Sequence, residues 1–144
     1  MTPTEPTTIT ETTMTTANLD LARAYFQAVQ TGDMAALGGL LDEQIVWHQP
    51  GANQFSGDHK SQGAVFQMLG SMMEASQGTF AIDKIHSLMG NGDLVAATIH
   101  FTGRRGDASM AMDGVDLLRI QNGKITEMWL FSGDQNAEDA FWGR

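Results

Sequence analysis

The chain has 144 residues, no cysteine and a net charge of −9, with only eight lysines and arginines, and these are scattered. Dispersed cations argue against nucleic acid or an anionic membrane as partner, because phosphate binding needs clustered positive charge. Without cysteine there are no disulfides or thiolate metal sites, and a cytoplasmic location is the default expectation. No run of about 18 apolar residues is present to span a membrane.

Residues 1–17 are dominated by threonine, with two prolines and almost no apolar pattern. Such a stretch buries too little to offset its ordering entropy and reads as a disordered tail ahead of a single domain over 18–144. Helical spacing begins near Asn18: Leu19, Ala22, Phe26 and Val29 share one face, with Leu21, Tyr25 and Ala28 beside it. Thr31-Gly32-Asp33 stops that helix and caps a short second one, Met34 to Leu41, which contains Gly38-Gly39. Ile45 to Gln49 reads as a strand ended by Pro50-Gly51. A loop of about ten residues follows before a third helix, starting near Lys60, with Val65, Phe66, Leu69, Met72 and Met73 on its apolar face.

From Thr79 onward the pattern is strand and turn. Thr79 to Leu88 and Leu94 to Thr102 flank Asn91-Gly92-Asp93, and Ser109 to Ile120 and Ile125 to Phe131 are joined through Asn122-Gly123, both strong hairpin signals. The end of the chain, Asp139-Ala140-Phe141-Trp142, is apolar and is expected to dock. The order predicts an α+β fold: three N-terminal helices packed on a curved, mostly antiparallel sheet, whose curl leaves a cone-shaped pocket for a small molecule.

Asp116 is the most informative residue. It interrupts the apolar strand Gly114-Val115-Asp116-Leu117-Leu118-Arg119-Ile120, where a carboxylate is costly unless paired or held neutral. One reading gives it chemistry; the other ties it to a backbone amide or to Arg119.

The segments Trp47-His48-Gln49-Pro50-Gly51, Gly57-Asp58-His59-Lys60, Gly114-Val115-Asp116-Leu117-Leu118-Arg119 and Gly123-Lys124-Ile125-Thr126-Glu127-Met128-Trp129 together resemble the SnoaL-like, ketosteroid-isomerase-like branch of the nuclear-transport-factor-2-like superfamily. The resemblance covers about Leu19 to Phe141. It implies a fold more firmly than a reaction, because this fold hosts isomerases, cyclases, dehydratases, epoxide hydrolases and non-enzymes. In ketosteroid isomerases a tyrosine on the first helix and a protonated aspartate on a long strand form an oxyanion hole, a system known for its pKa tuning. The positions that match are Tyr25 and Asp116. The family's catalytic base, an aspartate just before a proline, is replaced by Gln49, which takes no proton at neutral pH.

His48 is then the nearest titratable substitute, although strand alternation turns it away if Trp47 and Gln49 face the cavity. Asp116, Tyr25 and His48 are therefore the candidate catalytic residues. Trp47, Gln49, Met68, Met72, Met112, Leu118 and Trp129 are the candidate pocket walls, with ordinary packing as the alternative for the tryptophans and core filling for the methionines. His59, His86 and His100 show no metal-ligand spacing, so no metal and no cofactor are expected. Arg104 and Arg105 read as a solvated turn, and Asp113 and Asp134 as turn or edge residues. Relatives dimerise through the outer face of the sheet, and the two apolar faces of Met128-Trp129-Leu130-Phe131 agree with a homodimer. The expected activity is a cofactor-independent isomerase or cyclase acting on a small lipophilic carbonyl compound. The alternative is a ligand-binding or partner-binding module that kept the pocket and lost the base.

Overall fold

The computed structural model describes residues 4–144, and side chains from residue 13 onward. Its elements are α1 (Thr4–Thr31), α2 (Met34–Leu40), β1 (Leu41–Gln49), β2 (Gly57–Lys60), α3 (Gln62–Ala75), β3 (Ala81–Asn91), β4 (Leu94–Arg105), β5 (Ala108–Gln121), β6 (Lys124–Ser132) and α4 (Gln135–Trp142). They build one six-stranded sheet in the order β2-β1-β6-β5-β4-β3. Every neighbouring pair is antiparallel except β1 with β6. The expected α+β class and helix-covered, mostly antiparallel sheet are what the chain forms.

Local chemistry accounts for the boundaries. Asp33 accepts from the Ala36 amide and opens α2, and Ser61 does the same through Ala64 for α3, each satisfying an amide that has no partner inside its helix. Asn122 and Gly123 both have positive φ, 54° and 74°, the backbone of a tight primed turn between twisted strands. Helix α1 starts before the Asn18 boundary read from the sequence. Thr15 and Leu19 lie directly over Gly90 of β3, where a side chain on the strand would meet them at 3.1–3.3 Å. The expected tail over 1–17 lies partly outside the described residues; from residue 4 on, the backbone is helical.

The expected loop after Pro50 contains β2. Its residues Gly57, Asp58, His59 and Lys60 are polar and mostly exposed, so an edge strand forms without the apolar alternation that betrays most strands. The inner face of the sheet alternates cleanly: Val95, Ala97, Ile99 and Phe101 on β4, and Met110, Met112, Asp116, Leu118 and Ile120 on β5, are buried. Tyr25, Phe26, Val65, Met68 and Met72 cover that face from the helices.

The C-terminal segment docks as expected, as a helix. Phe141 and Trp142 of α4 are buried at 2% and 0% exposure. The Trp142 ring meets those of Phe141, Phe55 and Phe80 edge-on at 4.8, 5.1 and 5.4 Å. Arg105 donates to the carbonyls of Phe141 and Trp142, satisfying the exposed end of the helix. Among the described residues no helix is long and apolar enough to cross a membrane.

Candidate functional site

A narrow cavity of about 60 Å³ opens between the helices, the inner sheet face and α4. Its polar groups are Tyr25 from α1, Gln49 from β1, Asp116 from β5, Ser132 from β6 and Glu138 from α4. The remaining wall is apolar, with Trp47, Leu69, Met72, Phe80, Ile99 and Phe101 prominent. The cavity is smaller than the roughly 150 Å³ of a cavity that takes a benzene-sized ring.

Asp116 is 3% exposed and Tyr25 2%. Burial, followed by the nearby Glu138 carboxylate, pushes the Asp116 carboxyl up to about 7. Burial and then Asp116 push the Tyr25 phenol well above its usual value. No hydrogen bond or cation offsets either shift. The Tyr25 phenol therefore faces the cavity as a neutral donor, and Asp116 keeps a substantial protonated fraction near neutral pH that can donate beside it. The alternative of Asp116 paired with Arg119 fails on geometry: Arg119 is on the opposite face, 3.1 Å from Glu127 and stacked 5.2 Å above Trp129.

Gln49 is buried beside them. Its Oε1 accepts from the indole of Trp47 at 3.0 Å, which directs the amide nitrogen, a donor, away from Trp47. The position thus offers a donor and no base.

His48 is not part of this cavity. Alternation along β1 places it on the outer face, where its ring lies between Asp58 and Glu127, each at 2.7 Å, and stacks on Trp129 at 5.5 Å. The Glu127 hydrogen bond raises its pKa; partial burial opposes that and Asp58 adds to it. Trp129 is likewise misplaced by the sequence reading. An extra residue at Thr126 interrupts the β5–β6 register between Arg119 and Ile120. Such a bulge flips every later side chain, so Met128 and Leu130 point inward and Trp129 outward. Met68, Met112 and Leu118 do face inward, but at 4%, 9% and 0% exposure they fill the core away from the cavity. Tyr25, Asp116, Trp47, Gln49 and Met72 are brought together as expected.

The other candidates have structural roles. Asp134 caps α4 through the Ala137 amide. His86 pairs with Asp113 and His100 with Asp83 on the sheet surface, and His59 bonds the Phe55 carbonyl. Glu138 escaped the sequence reading altogether. Its signal was present in the α4 cap at Asp134 followed by an i,i+4 pair of Glu138 and Trp142, which share one helix face.

A helix-covered, mostly antiparallel six-stranded sheet of this order is the nuclear-transport-factor-2-like fold. More specifically, the chain belongs to the SnoaL-like domain family, whose model matches residues 22–128. A Xanthomonas campestris protein of unknown function with a cystatin-like fold is 51% identical, with a TM-score of 0.86 over 88% of this chain and 98% of that one. A protein from a soil-derived mobile gene cassette is 28% identical, with a TM-score of 0.86 over 90% and 98%. An uncharacterized Mycobacterium tuberculosis protein is 26% identical over 88% of this chain and 96% of its own. At 18% identity the fold alone is shared with a candidate polyketide cyclase from Streptomyces antibioticus (TM-score 0.67, 81% and 91% covered) and a candidate ketosteroid isomerase from Kribbella flavida (TM-score 0.64, 83% and 80% covered).

Proposed function

We propose that the cone binds a small lipophilic carbonyl compound and holds its oxygen between the Asp116 carboxyl and the Tyr25 hydroxyl. The observation that carries this reading is the buried, unpaired Asp116, raised to about 7 beside a second donor in an apolar cavity. A protein keeps such a group only against a cost, and preorganised donors in a dry site are what an enolate oxygen needs. The reaction class is then cofactor-independent isomerisation or cyclisation through an enolate, in line with the names given to the distant cyclase and isomerase neighbours.

The narrow volume adds a condition. A ring-sized ligand needs more room than this, and an outward shift of α4, which carries the Phe141 and Trp142 plug, is the proposed way in. A second reading, a non-catalytic ligand-binding or partner-binding module, is favoured by one observation: Gln49, at the base position of ketosteroid isomerases, is an amide whose oxygen accepts from the Trp47 indole.

A second copy of the chain is the proposed partner. On the outer face Val115, Leu117 and Trp129 lie beside Phe131, which is 56% exposed, and ion pairs flank them on both sides. Light scattering of the wild type should give a dimer and of Phe131→Glu a monomer; a monomeric wild type overturns that assembly.

The test of the pocket is fluorescence titration with 2-naphthol, whose oxygen mimics the enolate oxygen. Binding should be lost in Asp116→Ala and weakened in Tyr25→Phe. Equal affinity in wild type and Asp116→Ala makes Asp116 a structural acid and removes the oxyanion site.

A further inference from the structure

Three ionisable side chains line the cavity: Tyr25, Asp116 and Glu138. The first two are the donors assigned above, and Glu138 has no role yet. Its carboxylate enters the cone from α4 at 4% exposure, and all its partners are neutral donors. Oε1 accepts from Ser132 Oγ at 2.6 Å and Gln135 Nε2 at 3.0 Å. Oε2 accepts only from Trp142 Nε1, at 3.3 Å. One oxygen is thus anchored twice, which fixes the side chain, while the other keeps lone-pair capacity for a proton.

We propose that Glu138 is the base of this site, taking the proton alpha to the ligand carbonyl while Asp116 and Tyr25 hold the oxygen. The inference rests on the reading of the cone as a carbonyl site. In the step, the C–H bond alpha to the carbonyl breaks and its proton passes to Glu138 Oε2. The electron pair forms the enolate, whose oxygen accepts from the two hydroxylic donors. Return of the proton to the same carbon gives exchange, and return to the far carbon of a conjugated system gives isomerisation. No oxidant or second reactant is needed.

Two other sites for the base are closed by geometry. Gln49 is an amide with its oxygen occupied by Trp47. His48 lies on the far side of the sheet between two carboxylates. The arrangement also separates roles by environment. One acid, Asp116, has no donor to it and can serve as a donor itself when protonated; the other accepts from three donors and serves as acceptor. The base therefore moves from the strand end, where ketosteroid isomerases carry it, to the C-terminal helix, and opening of α4 to admit ligand would carry the base with it.

The probe is 2-tetralone, whose alpha protons are followed by NMR in D2O, alongside 2-naphthol titration of each protein. The wild type should exchange the alpha protons faster than buffer. Glu138→Gln should lower that rate by about 100-fold or more, the usual scale of a lost general base, while still binding naphthol in an Asp116-dependent way. Glu138→Asp keeps the charge but withdraws it by one methylene; it guards against a misfolded Gln variant and should fall by about tenfold. Wild-type exchange rates in both variants overturn the assignment of Glu138. So does a wild type that binds naphthol through Asp116 yet exchanges no faster than buffer, and in that case the carbonyl site stands without this base. Absence of naphthol binding in the wild type overturns the site reading itself.

Discussion

The two faces of the sheet hold similar groups in opposite states. On the outer face Glu127 lies between His48 at 2.7 Å and Arg119 at 3.1 Å, with both the imidazole and the guanidinium against the Trp129 ring. Each of these three groups has a charged partner and access to water. On the inner face Asp116 has neither, and it is pushed up to about 7. The difference is one of burial and pairing, not of residue type. A single-residue step along β1, from His48 to Gln49, passes from one environment to the other. Paired surface acids stabilise weakly; an unpaired buried acid destabilises, and its retention points to a use.

The comparison yields graded predictions. The largest effect belongs to the inner face: Trp142→Ala, which empties the space between Phe55, Phe80 and Phe141, should cost about 3–5 kcal/mol in urea unfolding. A cost near zero would mean that α4 does not seal the cone.

Next comes Asp116→Asn. The native carboxyl titrates near 7 when folded and near 4 when unfolded, so the native state binds the extra proton between those values. Wild-type stability should therefore fall as pH rises from about 4 to about 7 and level off above. The asparagine variant should lose that slope and be more stable at pH 8 by about 2–4 kcal/mol, at roughly 1.4 kcal/mol per pKa unit. A variant less stable than wild type at pH 8 would put a hidden partner on Asp116.

The smallest effect is on the outer face. His48 has a raised pKa, so its pairing contributes fully below about 6.5 and fades as pH climbs through the raised value. His48→Gln should cost about 1 kcal/mol or less at pH 6 and less still at pH 9. It should leave 2-naphthol binding intact, and a loss of binding would return His48 to the site.

Much of this was legible in the chain because the signals are local. Asn122-Gly123 and Gly92-Asp93 mark their hairpins by backbone conformation alone, and Asp116 stands out because a buried strand excludes charge. Tyr25 and Gln49 were placed by their matches to a family pattern. What stayed hidden depends on nonlocal geometry. The bulge at Thr126 reverses the facing of Trp129, and no pattern of period two shows it. Strand β2 is polar because it is an edge, so its only signature is its partner, β1. Met68, Met112 and Leu118 have the right face but the wrong depth, which sequence spacing does not encode. Glu138 sits on a short polar helix whose position over the cone depends on the docking of Phe141 and Trp142.

The central claim is that a buried carboxyl of raised pKa waits inside the cone. Its most direct test is a carbon-13 NMR titration of carboxyl-labelled aspartate, with the Asp116 signal assigned by its absence in Asp116→Asn. A midpoint near 7 is the expected result. A midpoint near 4, the ordinary aspartate value, would mean that Asp116 is ionised and solvated, and the cone would then have no preorganised acid to offer a carbonyl oxygen.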